Sequence, residues 1–139
     1  NLTEIHLPDL TKKIIGKYAQ ELDVKIVGDS SKSIIGDAFA IELILKNLFE
    51  NTKHHSGGSK VELELKESAS GVSLTYCDFG NFEGDIKKLG KLFYTHHSTR
   101  GSGIGLYLIK KLMNKMGGEL LINTDPSFNV GLNFQLEQP

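Results

Sequence analysis

The chain predicts an α+β two-layer sandwich, with three helices packed on a mixed, mostly antiparallel sheet. Three observations point there. Apolar residues recur at helical spacing in three separate stretches, around 8–22, 37–55 and 103–116. Between and after them, apolar and polar residues alternate with a period of two, as in Val61, Leu63 and Leu65 set against lysines and glutamates. The alternating stretches also arrive in adjacent pairs joined by short turns, which is the signature of hairpins rather than of strands separated singly by helices.

Taken in order, Pro8 and Asp9 open the first helix, with Leu10, Ile14, Ile15, Tyr18, Ala19 and Leu22 on its apolar side. Val24–Val27 and Ser33–Ile35 are short strands around the turn Gly28-Asp29-Ser30-Ser31. Asp37 caps a long helix whose buried stripe is Ile41, Ile44, Leu45 and Leu48, and Ser56-Gly57-Gly58-Ser59 ends it. Lys60–Lys66 and Gly71–Cys77 form one hairpin about Glu67–Ser70. The stretch 80–101 reads as loop with one short helix at Asp85–Phe93. A helix over Gly103–Met116 stops at Gly117-Gly118, and Glu119–Asn123 with Val130–Leu136 make a second hairpin about Thr124–Ser127.

At 139 residues the chain is one domain, large enough for a core without staples. Its first residue is Asn rather than Met, so it is expected to be a fragment of a longer protein. Sixteen basic against seventeen acidic residues leave a net charge of −1 and no basic stripe, which argues against nucleic-acid binding. No apolar stretch reaches the roughly twenty residues of a membrane span, so direct membrane contact by this domain is not expected. The lone Cys77 excludes an internal disulfide, and its strand position predicts a small core residue.

Three sets of residues carry chemistry. The run Gly101-Ser102-Gly103-Ile104-Gly105-Leu106 enters a helix, where alternating glycines let backbone N–H groups and the helix start approach a phosphate. It matches neither a P-loop nor a G-x-G-x-x-G dinucleotide fingerprint, and it follows a polar loop rather than a strand. Ser98, Thr99 and Arg100 ahead of it offer two hydroxyls and a guanidinium for phosphate oxygens. Asn47 and Asn51 lie one turn apart on the long helix, with His54 and His55 continuing that face. An asparagine amide oxygen there is either a solvated surface group or a neutral hard ligand suited to Mg²⁺. Asp78 closes a strand before Phe79-Gly80, as a turn former or as an acceptor for an exocyclic base amine. The histidine pairs 54–55 and 96–97 lack a cysteine or second carboxylate at zinc-ligand spacing.

In this order the segments resemble the ATP-binding catalytic domain of sensor histidine kinases, in the superfamily that also holds gyrase, mismatch-repair ATPases and heat-shock chaperones. Leu45-Lys46-Asn47-Leu48-Phe49-Glu50-Asn51-Thr52 resembles the N box, and Asp78-Phe79-Gly80 the start of the first glycine box. Leu92–Arg100 resembles the F box, and Gly101–Leu106 the second glycine box. Gly117-Gly118-Glu119-Leu120 is similar to the turn after it, and Gly131-Leu132-Asn133-Phe134 to the final Gly-Thr-x-Phe element. The resemblance covers nearly the whole chain and implies a Bergerat-type ATP-binding fold.

It also implies roles. Asn51 would ligate the Mg²⁺ bridging the ATP phosphates, with Asn47 near the same phosphates and His54 on that face. Asp78 would take the adenine amine, and Gly80 would let the base approach. Gly101, Ser102, Gly103, Ile104, Gly105 and Leu106 would carry the polyphosphate, under a lid holding Ser98, Thr99 and Arg100. Superfamily members that hydrolyse ATP or phosphorylate serine resemble one another in a general-base glutamate four residues before the Mg²⁺ asparagine; here that residue is Asn47. Transfer of the γ-phosphate to an intrinsically nucleophilic histidine fits better.

The implied partners are a helical dimerisation and phosphoacceptor domain of the same protein, and a response regulator. The implied location is the cytoplasmic part of a parent that can be membrane-anchored. The chain departs from the family pattern in four ways: Phe82 replaces a glycine, His54 replaces a lysine or arginine, the lid is short, and Leu132 replaces a threonine. These departures motivate an alternative, a non-catalytic nucleotide-binding or interaction module of the same fold. A stand-alone serine kinase or ATPase is the other.

Overall fold

The computed structural model describes residues 1–55, 60–79, 102–123 and 129–136, with the backbone alone for residues 55 and 102–105. Within them lie three helices and seven strands: β1 (Thr3–Ile5), α1 (Leu7–Tyr18), β2 (Asp23–Gly28), β3 (Ile34–Gly36), α2 (Ala38–His55), β4 (Lys60–Glu67), β5 (Gly71–Asp78), α3 (Ser102–Lys115), β6 (Glu119–Asn123) and β7 (Asn129–Gln135). The main sheet has the order β2-β4-β5-β7-β6, antiparallel except for the parallel β2–β4 pair. Helices cover one face, so the predicted two-layer α+β class is what the chain adopts.

Each element follows from local sequence. Pro8 sits in the first turn of α1, where its missing N–H costs nothing, and Asp9 and Lys17 complement the two ends of the helix dipole. The helix ends at Tyr18, so Leu22, expected on its apolar side, lies beyond it in a turn closed by its own N–H to the Ala19 carbonyl (3.0 Å). Asp37 caps α2 as expected, its Oδ1 accepting from the N–H groups of Phe39 (3.0 Å) and Ala40 (3.3 Å). Ile41, Ile44, Leu45 and Leu48 are fully or almost fully buried. Helix α3 stops one residue short of Met116, in a turn where Gly117 takes a φ of +74° and the Gly118 N–H reaches the Met113 carbonyl (2.9 Å).

One expectation needs correction, and two features of the strands were not specified by the sequence. The candidate strands before and after 28–31 do not pair with one another. β2 lies parallel to β4, while β3 pairs with β1 in a separate two-stranded sheet. The intervening turn is held away by Glu67 at the end of β4, whose Oε2 accepts from Ser30 Oγ (3.4 Å) and the Ser31 N–H (3.3 Å). β1 itself was not foreseen, because three residues are too few to show an alternation. Cys77 is not a core residue: on β5 the inward positions are Leu74, Tyr76 and Asp78, which puts Cys77 half-buried on the opposite face across from Glu62 and Asn129.

The core fills the space between the layers. Leu63, Leu74, Tyr76, Val130 and Leu132 rise from the sheet against Ile44, Leu45 and Phe49 of α2 and Ile109 and Met113 of α3. The short helix expected at 85–93, the lid residues, the breaker at 56–59 and the turn at 124–127 fall outside the described residues.

Candidate nucleotide site

The C-terminal half of α2 and the last turn of β5 come together where the sequence placed the base and metal residues. Asp78 is the final residue of β5, and the strand's period aims it inward with Tyr76 and Leu74. Only 4% of its surface is exposed. A carboxylate so placed is costly unless it is hydrogen-bonded. Its Oδ2 accepts from Thr52 Oγ1 at 2.7 Å, and Thr52 Oγ1 lies 2.6 Å from the Tyr76 hydroxyl. The Tyr76 hydroxyl in turn is 3.1 Å from the Leu48 carbonyl. Thr52 and Tyr76 are each 1% exposed.

Proton counting orders this chain. Each hydroxyl owns one hydrogen, and an ionised Asp78 owns none. Thr52 therefore gives its hydrogen to Asp78, and Tyr76 gives its own to Thr52. The Leu48 carbonyl is left with its helical partner and a weak share of the tyrosine donor. Burial pushes the Tyr76 phenol well above its ordinary range, and the charge of Asp78 adds to the shift.

On α2, Asn47 is half-buried and turns its Nδ2 back to the Leu43 carbonyl at 3.0 Å. Asn51, one turn on, is half-buried on the same face. Their amides are neutral oxygen donors rather than bases. His54 is half-exposed and pairs through Nε2 with Glu50 Oε2 at 3.4 Å. Lys53 points elsewhere: its Nζ donates to the Tyr18 carbonyl at the end of α1 (2.9 Å) and lies 3.8 Å from Glu21.

Helices α2 and α3 pack on one another. The start of α2 touches the end of α3, with the Asp37 N–H 3.3 Å from Met116 Sδ. About 20 Å of helix separates Asp37 from Asn51 on α2, and about the same length separates Met116 from the first turn of α3. That first turn holds Ser102, Gly103, Ile104 and Gly105 in helical backbone, and Leu106 behind it is buried. Gly80, Ser98, Thr99, Arg100 and Gly101 fall outside the described residues.

Sequence reading missed Thr52 and Tyr76. The signal was present, because Thr52 continues the buried stripe Ile41, Leu45, Leu48 at helical spacing, and Tyr76 shares the inward face of β5 with Asp78. The threonine replaced by Leu132 also matters less than the family pattern implied. Leu132 pairs with Leu74, four residues from Asp78 along β5 (78 − 74) and so about 13 Å away. It serves the core, fully buried. An open groove of about 660 Å³ lined by Lys66, Gly71, Ser73, Asn133 and Gln135 lies at the far end of the sheet and contains none of the candidate residues.

Comparison with known proteins agrees with this fold. Residues 36–139 match the family described as histidine kinase-, DNA gyrase B- and HSP90-like ATPases. The chain belongs to that ATPase family. Among its curated relatives, the sensor protein IrlS of Burkholderia pseudomallei is 27% identical over 92% of this chain and 30% of its own length. The sensor histidine kinase YcbM of Bacillus subtilis is 27% identical over 90% of this chain and 45% of its own. The chain therefore spans less than half of either relative. The fold is also that of the nucleotide-free catalytic domain of histidine kinase ThkA, with a TM-score of 0.79 and 20% identity over 100% of this chain and 99% of that one.

Proposed function

We propose that this chain is the ATP-binding catalytic domain of a two-component sensor histidine kinase. It would pass the γ-phosphate of ATP to a histidine on a helical dimerisation domain of the same protein, for onward transfer to a response regulator. The observation that carries the nucleotide reading is the buried carboxylate of Asp78, tethered to the hydroxyl of Thr52, the residue after Asn51 on α2. An acceptor-only group in a desolvated place binds the amine of adenine and rejects a carbonyl at the same position. Asn51 offers a neutral amide oxygen fit for Mg²⁺, which when bound would neutralise charge on the phosphates. Asn47 turns its amide toward the Leu43 carbonyl and provides no base to activate water or a serine hydroxyl. The glycines 101, 103 and 105 would receive the phosphates on backbone N–H groups, and Ser98, Thr99 and Arg100 would add two hydroxyls and a guanidinium. Little more is asked of a domain whose acceptor is already nucleophilic. No described helix is long and apolar enough to cross a membrane, and we place the domain on the cytoplasmic side of its parent.

Calorimetry with a non-hydrolysable ATP analogue and Mg²⁺ tests this. Binding should be lost, by about tenfold or more, in Asp78→Asn and in Asn51→Ala, and be kept in Glu50→Gln. Phosphate should appear on the parent's dimerisation domain when that domain is added. Absence of binding at millimolar nucleotide would sink the proposal. Rapid release of free phosphate without an acceptor would move the chain to the ATPase branch.

A further inference from the structure

The structure assigns a specificity role to Thr52: it is the positioning residue that holds Asp78 in the orientation that selects a 6-amino over a 6-oxo purine. This deepens the nucleotide reading above and rests on Asp78 as the base acceptor. Asp78 is set at the end of a strand, where its carboxyl can still rotate about its last side-chain bond. The hydroxyl of Thr52 at 2.7 Å fixes one carboxyl oxygen and thereby the direction of the other. Thr52 in turn is fixed by Tyr76 at 2.6 Å, so its hydrogen has a single strong acceptor, and that acceptor is Asp78. The three groups come from α2 and β5 and are almost wholly buried, where a lost hydrogen bond leaves a bare polar atom with no water to replace it.

The geometry also explains why a threonine stands in the buried stripe of α2. A β-branched hydroxyl is a poorer helix residue than alanine, and its packing alone would be met by valine. Only the hydroxyl can both accept from Tyr76 and donate to Asp78. A base carrying a carbonyl where adenine has its amine would face a fixed acceptor and be repelled. Without the Thr52 hydroxyl the carboxyl would lose one of its tethers, and the penalty against the wrong base would shrink.

The test compares ADP with inosine diphosphate in Mg²⁺-containing buffer, by calorimetry on the 139-residue chain. In Thr52→Val the ratio of ADP to inosine diphosphate affinity should fall about tenfold, with ADP bound more weakly and inosine diphosphate more tightly. Thr52→Ser should restore the ratio to within about twofold, and Tyr76→Phe, which removes only the outer donor, should fall in between. Far-UV circular dichroism and a melting curve establish that each variant is folded. Should Thr52→Val prove unfolded, Thr52→Ser and Tyr76→Phe carry the comparison. An unchanged ratio in folded Thr52→Val or Tyr76→Phe overturns the assignment. Asp78→Asn separates that failure from failure of the underlying reading. If the ratio collapses in Asp78→Asn but not in Thr52→Val, Asp78 reads the base without help from Thr52. If neither substitution moves it, both ideas fall.

Discussion

At the scale of single residues, the sequence shows chemistry more readily than it shows partnerships. Asp78, Asn47 and Asn51 stand out because they interrupt apolar patterns. Thr52 does not, since a threonine in a buried stripe reads as a tolerable substitute for valine. Its meaning depends on Tyr76 and Asp78, more than twenty residues away, and only the pairing of α2 with β5 brings them into reach. Cys77 is a second case. Burial, then the charges of Glu62 and Glu64, raise its thiol above the ordinary range, since each disfavours the thiolate. Alkylation by iodoacetamide should therefore be slower than for an unstructured cysteine at pH 8. The observed rate should still be climbing beyond pH 9, where a free thiol with a pKa of about 8.5 has nearly levelled off. A rate matching that of a denatured control at pH 8 would contradict this.

At the scale of elements, caps and close approaches decide what can change. The carboxyl of Asp37 is held below its ordinary range by the Ala40 N–H, with the chain's amino terminus and the Phe39 N–H adding to the effect. Its contribution is therefore complete above the unfolded value of about 4 and is lost as pH falls through the lower folded value. Asp37→Ala should cost about 1 kcal/mol by chemical denaturation at pH 7, while Asp37→Asn keeps the cap and should cost less than half of that. The gap between Asp37→Ala and the parent chain should narrow in acid. Glycines give an opposite pair. Gly16 in α1 has open space where a Cβ would go, so Gly16→Ala should stabilise by roughly 0.5–1 kcal/mol. At Gly118 a Cβ would meet the Asn133 carbonyl oxygen at 2.4 Å, and Gly118→Ala should lose about 2 kcal/mol or more as α3 and β7 are pushed apart. Urea midpoints of the two variants, moving in opposite directions, would check both.

At the scale of the whole molecule, the class of fold was legible because period and punctuation agree. Among the described residues, both hairpins, α2 and α3 fall within a residue or two of where Gly and Asp place them, while α1 opens within a residue of Pro8 as expected but ends four residues before Leu22. The topology was less legible. Nothing local in Val24–Val27 says that it pairs in parallel with a strand beyond α2 rather than in antiparallel with its neighbour in sequence. That choice is made by contacts distant in the chain, such as Glu67 with the 30–31 turn. The site shares this limit. Residue types and spacing nominate candidates for base, metal and phosphate, but the hydroxyl chain behind Asp78 appears only once the layers are stacked.

The parallel pairing of β2 with β4 has a consequence for the order in which the molecule assembles. A hairpin such as β4–β5 closes a short loop and can form early, whereas β2 reaches β4 only after β3 and the whole of α2 have been laid between them. Loop closure across that span costs entropy before any contact returns it. The stretch of α2 that carries Asn47, Asn51 and Thr52 belongs to this late connection, while Tyr76 and Asp78 belong to the early hairpin. A refolding chain would thus present Tyr76 and Asp78 on the early hairpin and gain Thr52 beside them when α2 packs on it. A partly folded chain would have the carboxylate of Asp78 without its Thr52 hydroxyl, and any function resting on that pair would begin only when the final layer seats.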